Sequence, residues 1–457
     1  MDTKWQPQQL RAGTAKYKAL ATEIRDAIAS GTLTAGEKLP PVRDLAYRLS
    51  ITPGTAARAY SILVEEGTLE AGVGRGTFVS NPFQSAGPQE WPEIVDCLSP
   101  RIPDMGQDKL IRDSLRQVAQ DLPTKALMQY PKREVNRPAR RAFMQWMGDA
   151  PLGHYTEDDL VITHGGQNAL MHIMQAVLRG PAPVVLVDEV SYSGFRKAAE
   201  LCRAQVVGVP WDGEGPDADA LEKLVQSTGS TLYCTSSEIN NPTTRPTSPK
   251  RRREIAAVAL RHGLHVVDDD CYYTGSHSAE TYRALLPDLG WYVGSPSKLV
   301  SPALRVGFTL PPRGWVGQML QSVQLSHFGV SSILTEAFAR VMTDENLPRI
   351  IANVQGRINA DLRFVVKQLG GYPIRWRSHV PLVWVELPVA WRAPAFTQAA
   401  KAAGVELKSA DEFTLRDGRA VHAVRIAING QIDQARFQQA VMVLRDLLDN
   451  PPRGFTT

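Results

Sequence analysis

Over the first eighty residues the apolar positions recur at helical spacing. Tyr17, Leu20, Ala21, Ile24 and Ile28 share one face of a predicted helix that Gly31 ends. Beyond Leu39-Pro40-Pro41, the residues Val42, Leu45, Ala46 and Leu49 define a second. A third starts with Thr52 as N-cap and Pro53 at the first helical position, a favourable beginning. It turns Ala56, Ala59, Tyr60, Leu63 and Val64 inward and stops at Gly67. Two short strands, Thr68 to Ala71 and Thr77 to Val79, flank the turn Gly72-Val73-Gly74-Arg75-Gly76. Three helices and a hairpin make a winged helix-turn-helix, a mostly α N-terminal domain over residues 1–80.

The pattern then changes. Residues 81–97 carry Pro and Gly without periodicity and read as a linker. From Leu98 onward, short apolar strands alternate with helical stretches, which predicts an α/β domain over 98–457.

Composition narrows the class without settling it. Hydrophobic residues make up 43% and charged residues 21%, as in globular proteins, and 457 residues are too many for one ordinary core. No apolar run approaches a membrane span of ~20 residues. The opening Met1-Asp2-Thr3-Lys4-Trp5-Gln6 lacks a signal-peptide core, so a cytoplasmic location is expected. Cys97, Cys202, Cys234 and Cys271 lie far apart, which argues against a disulfide framework or a metal site. A formal charge of +4 is too small to argue for nucleic-acid binding by itself.

The chemistry gathers around Lys298. The apolar run Trp291-Tyr292-Val293-Gly294 leads into Ser295-Pro296-Ser297-Lys298, with Arg305 seven residues further on. Hydroxyls and a guanidinium suit a phosphate, and a lysine beside a carbonyl can form a Schiff base. Together they point to pyridoxal phosphate. Gly165-Gly166-Gln167 sits where a strand gives way to a helix, so backbone N–H groups can meet an anion there, although the motif alone is weak. Tyr192 follows a buried strand and could lie on a pyridine ring, or simply pack in its loop. Asn241-Pro242 is a turn whose amide could reach a phenolic oxygen. Asp269 ends a strand, three residues before Tyr272; a carboxylate there can keep a pyridine nitrogen protonated. Arg425 is a charge inside the apolar strand Val421 to Ile428, costly unless an anion meets it.

Two resemblances draw these features together. Gly36-Glu37-Lys38-Leu39-Pro40, Val42-Arg43-Asp44-Leu45-Ala46, Arg58-Ala59-Tyr60 and Gly74-Arg75-Gly76-Thr77-Phe78-Val79 resemble the DNA-binding domain of the GntR family. That resemblance implies that Arg43, Thr52, Thr55 and Arg58 face double-stranded DNA, with Arg75 in the wing. Pro53 stands where many members carry a basic residue. From Leu98 onward the chain resembles class I aminotransferases of the PLP-dependent transferase fold type I. The resemblance implies that Lys298 carries the internal aldimine and Asp269 meets the pyridine nitrogen. Asn241 and Tyr272 would bond the phenolic oxygen and Tyr192 would stack on the ring. Ser295, Ser297, Arg305 and the Gly165–Gln167 turn would hold phosphate, Arg425 would take a carboxylate, and Tyr130 would reach a neighbouring subunit's site. Thr244 replaces the glycine that usually follows Asn-Pro-Thr.

The fusion resembles the MocR subfamily of GntR regulators. It implies a homodimeric, PLP-dependent transcriptional regulator that senses a small amino compound through aldimine exchange at Lys298. A working aminotransferase with an appended DNA-binding domain is the alternative, and a constitutive DNA-binding protein whose body only dimerises is a third.

Overall fold

The computed structural model describes residues 5, 14–72, 76–80, 94–415 and 421–451. The chain divides into two compact units, Met1–Trp91 and Pro92–Thr457.

In the first unit, helices Lys16–Ala29, Val42–Arg48 and Pro53–Glu65 pack around Leu20, Ile24, Leu45, Ala56, Ala59 and Leu63, all fully buried. Thr52 caps the third helix, accepting from the Thr55 amide through its hydroxyl at 3.3 Å, a contact worth about 1 kcal/mol. Strands Leu69–Gly72 and Gly76–Val79 pair antiparallel, with Leu69 opposite Val79. The helix and hairpin pattern of the sequence is therefore the one observed. Arg75 lies outside the described residues.

The second unit is built on a seven-stranded sheet. Its order is Val161–Thr163, Gly307–Leu310, Gly290–Gly294, His265–Asp269, Leu232–Thr235, Val184–Asp188, Gln205–Val209. Gly307–Leu310 runs antiparallel to both its neighbours, and the remaining pairings are parallel. Parallel strands covered on both faces need continuous apolar runs, and the Leu232–Thr235, His265–Asp269 and Gly290–Gly294 strands are buried at every position.

A smaller antiparallel sheet follows toward the C-terminus, in the order Ile374–Trp376, Leu382–Glu386, Ala423–Ala427, Lys408–Ser409. Helices Leu347–Leu369 and Gln434–Asp449 share its core. One expectation is corrected here. Val95–Asp96, placed in the 81–97 linker, forms a strand parallel to Val405–Glu406, and Val95 and Cys97 are buried in this core. Two apolar residues are too few to show a period in the sequence.

Candidate functional site

The residues singled out around Lys298 follow the carboxyl ends of five strands in the large sheet. Ligands bind open α/β sheets at that edge. Gly165 follows Val161–Thr163, Tyr192 follows Val184–Asp188, and Asn241 follows Leu232–Thr235. Asp269 ends its own strand, and Ser295 follows Gly290–Gly294. They converge on one cavity of about 250 Å³, lined by Gly166, Gln167, Tyr192, Asn241, Asp269, Tyr272, Ser295, Ser297, Lys298, Arg305 and Arg425.

At one end, helix Gly166–Val177 opens on Gly165, whose φ of 81° suits glycine. A Cβ on Gly165 would sit 2.9 Å from Arg305 Nη2, and one on Gly166 would sit 2.5 Å from the Cys271 sulfur. Arg305 donates to the His164 carbonyl at 3.0 Å, and the Ser295 and Ser297 hydroxyls are 2.7 Å apart. Helix N-terminus, guanidinium and paired hydroxyls thus face the same space, a ready anion cradle.

The floor carries the charges. Asp269 is buried, and burial raises its carboxyl to about 6; its Oδ1 accepts from the Cys271 amide at 3.2 Å. Its neighbours are also buried rather than solvated. Asp268 accepts from Ser237, while Asp270 accepts from Tyr292 and pairs with His277 at 2.7 Å. Lys298 ends the short turn Pro296–Lys298 with its ammonium 5.9 Å from the Tyr272 ring centroid. Burial, with Arg425 and Arg305 nearby, lowers its pKa. Burial raises Tyr272 to about 12 and raises Tyr192 as well.

The far end belongs to Arg425. Its Nη1 donates to Asn241 Oδ1 at 2.8 Å, its Nη2 donates to the Leu98 carbonyl, and its Nε is buried without a partner among the described residues. Thr244 adopts φ 61°, the left-handed conformation that glycine takes without cost, and its amide closes the turn onto the Asn240 carbonyl at 2.7 Å.

Tyr130, expected at a neighbouring subunit's site, is not on the lining of this cavity. Tyr130 is 72% exposed and stacks on Phe328, with ring centroids 4.8 Å apart, away from the cavity lining. Sequence reasoning missed Ser99, Pro100, Ser193, Ser236, Cys271, Pro302, Lys408 and Phe413, all on the lining. It also missed Gly194, where a Cβ would lie 2.1 Å from the Tyr192 ring; a lone glycine near the start of a helix gave no signal.

On the first unit, Arg43, Thr52 and Arg58 are exposed, and Thr55 is half-buried. The Thr52 and Thr55 hydroxyls bond each other at 2.8 Å, and the Arg58 guanidinium lies 4.2 Å over the Tyr17 ring. No helix among the described residues is long and apolar enough to cross a membrane. No cluster of three or more His, Cys, Asp or Glu among them could hold a metal.

Comparison with known proteins agrees with both halves. Residues 102–443 match the family model "Aminotransferase class I and II", and residues 16–79 match "Bacterial regulatory proteins, gntR family". The HTH-type transcriptional regulator YdeF of Bacillus subtilis (strain 168) is 24% identical, over 98% of this chain and 97% of its own. A 2-aminoadipate transaminase of Thermus thermophilus is 29% identical over 57% of this chain and 67% of its own. The solved structure of LysN, an α-aminoadipate aminotransferase of Thermus thermophilus complexed with N-(5'-phosphopyridoxyl)-L-leucine, superposes with a TM-score of 0.68. It is 22% identical and covers 78% of this chain and 92% of its own. The large unit therefore has the PLP-dependent transferase fold type I behind a GntR-type winged helix. The chain belongs to the class I and II aminotransferase family and carries a GntR-type winged helix ahead of that domain, a fusion consistent with the MocR subfamily of GntR regulators.

Proposed function

We propose that the chain is a DNA-binding transcriptional regulator whose aminotransferase-like unit holds pyridoxal phosphate and senses a small amino compound at Lys298. The observation that carries this reading is the convergence of Lys298, Asp269, Asn241 and Arg305 on one cavity in a chain that also bears a winged helix.

The residues fit the cofactor. Asp269 is a buried carboxylate whose bonding among the described residues runs to the neighbouring Cys271, and a protonated ring nitrogen would supply a cationic partner. Asn241 Oδ1 is occupied by Arg425, leaving its Nδ2, a donor, for a phenolic oxygen. Arg305, Ser295, Ser297 and the Gly165–Gln167 turn would hold the phosphate, and Tyr192 would cover the ring. When bound, the group supplies an aldehyde that condenses with amines and a ring that withdraws electrons.

Burial makes Lys298 Nζ easier to deprotonate, and the neutral amine is the nucleophile. An amino compound with its carboxylate on Arg425 would compete with Lys298 for the same aldehyde. If the liganded and free forms differ in operator affinity, that compound shifts DNA binding by its differential affinity for the two. Arg43, Thr52, Thr55 and Arg58, with Arg75, are the DNA-facing residues in this reading. A homodimer would present two winged helices to a repeated site. Tyr130 would then reach the partner's cavity.

The test is a gel shift on the DNA upstream of the gene, with cofactor-loaded protein and a panel of amines and amino acids. One compound should change both the visible spectrum and operator affinity. A spectral response that never alters DNA binding would defeat the sensor reading. The complete residue set also favours a second reading, a working aminotransferase. Repeated turnover with an amino acid and a keto acid at enzyme-like rates would establish it.

A further inference from the structure

Lys408 is a second lysine at the cavity, and the proposed sensing chemistry gives it no task. It stands directly opposite Arg425 where Lys408–Ser409 pairs antiparallel with Ala423–Ala427. Side chains so paired leave the same face of a sheet, with Cβ atoms about 5 Å apart. Both line the cavity with Phe413, whose ring centroid is 4.7 Å from the Arg425 guanidinium and 5.9 Å from the Lys408 ammonium.

Like charges opposite one another destabilise a strand pair. Glu412 offsets part of this, meeting Lys408 Nζ at 2.5 Å, but its side chain is 45% exposed and absent from the cavity lining. An ammonium has three donors, so one bond to Glu412 leaves others for a ligand. Arg425 keeps its buried Nε unpartnered among the described residues.

Charge balance points the same way. Among the described residues, the cavity is lined by four cationic side chains, Lys298, Arg305, Arg425 and Lys408, and by one carboxylate, Asp269. With Lys298 and Arg305 assigned to the cofactor and Arg425 to one carboxylate, no described residue on the lining gives Lys408 an anion.

Resting on the proposed function, we infer that Lys408 is a specificity-determining residue that takes a second anionic group. The effector is then an amino acid with two acidic groups. A point charge on a flexible stem accepts a carboxylate or a phosphate, so the class is set by charge rather than by shape.

The test titrates the full-length, pyridoxal-phosphate-loaded protein with matched pairs, following the visible spectrum. The pairs are L-glutamate and L-glutamine, L-aspartate and L-asparagine, O-phospho-L-serine and L-serine. The anionic member of at least one pair should bind at least about tenfold tighter, the scale of one lost charge-assisted contact. The pair that responds tells carboxylate from phosphate. Lys408→Met should remove the preference while the neutral members bind as before, and Lys408→Arg should retain it. Equal binding within every pair, or a preference that survives Lys408→Met, overturns the assignment while leaving the cofactor reading intact. Absence of any cofactor band in the unaltered protein removes the cofactor reading and this inference together.

Discussion

Arg425 Nη1 donates to the side-chain oxygen of Asn241 across 2.8 Å, joining a strand of the C-terminal sheet to the turn after Leu232–Thr235. The residue proposed to take the effector's carboxylate thus bonds the one proposed to face the cofactor's phenolic oxygen. A ligand on Arg425 would therefore be felt at Asn241. Arg425→Gln should weaken amino-compound binding by about 100-fold, on the order of 3 kcal/mol for a lost charge-assisted pair. It should also shift the visible band, because Asn241 loses its anchor. Spectral titration reads both, and unchanged affinity would remove Arg425 from recognition.

Asp269 makes a pH prediction with a definite sign. Its folded carboxyl sits at about 6 against an ordinary 3.8, so between those values the folded state binds more protons than the unfolded chain. Cofactor-free protein should therefore lose stability as pH rises through this window, by about 3 kcal/mol from this group. Asp188, raised to about 7 by burial, adds in the same direction, so the comparison must be with Asp269→Asn. Without cofactor that variant should be more stable than the parent at pH 7 and equal to it near pH 4, while binding pyridoxal phosphate more weakly. Denaturant unfolding across pH reads the first effect, and parallel curves for both proteins would contradict it.

Gly166 and Cys271 are packed so closely that a Cβ on the glycine would lie 2.5 Å from the sulfur. Gly166→Ala should destabilise the cofactor-free protein by about 1–3 kcal/mol through overpacking. Adding Cys271→Ala should recover most of that loss, since the two sites share one contact. Additive losses in unfolding measurements would show that the backbone, not the thiol, sets the requirement.

Arg58 stacks 4.2 Å over Tyr17 on the first unit. Arg58→Ala should weaken operator binding and lower the salt slope by about one charge, with the cofactor spectrum unchanged. It should also cost about 0.5–1 kcal/mol of stability from the lost stacking. A salt slope equal to the parent's would place Arg58 off the DNA.

Much of this is legible in the sequence because local rules agree with the fold. Thr52 and Pro53 announce a helix start, and the apolar runs ahead of Asp269 and Ser295 are strands buried along their whole length. Their chain order also delivers much of the chemistry, since Gly165, Tyr192, Asn241, Asp269 and Ser295 each end or follow a strand at its carboxyl end. Lys408 is invisible for the opposite reason. Its opposition to Arg425 depends on the register of two strands that nothing local encodes. Cys271 and Gly194 escape notice because their meaning is a close approach between segments that fold together. Val95 and Cys97 fall inside the expected linker because a two-residue strand has no period. Thr244 stands out as a departure from glycine, but its φ of 61° is a property of the folded turn.

A covalent link between Lys298 and pyridoxal phosphate is the centre of the proposed mechanism, and an absorbance titration tests it most directly. Adding the cofactor to the unaltered protein should produce a bound visible band that Lys298→Ala lacks, with operator binding retained in the variant. No band in the unaltered protein, or the same band in Lys298→Ala, would contradict it.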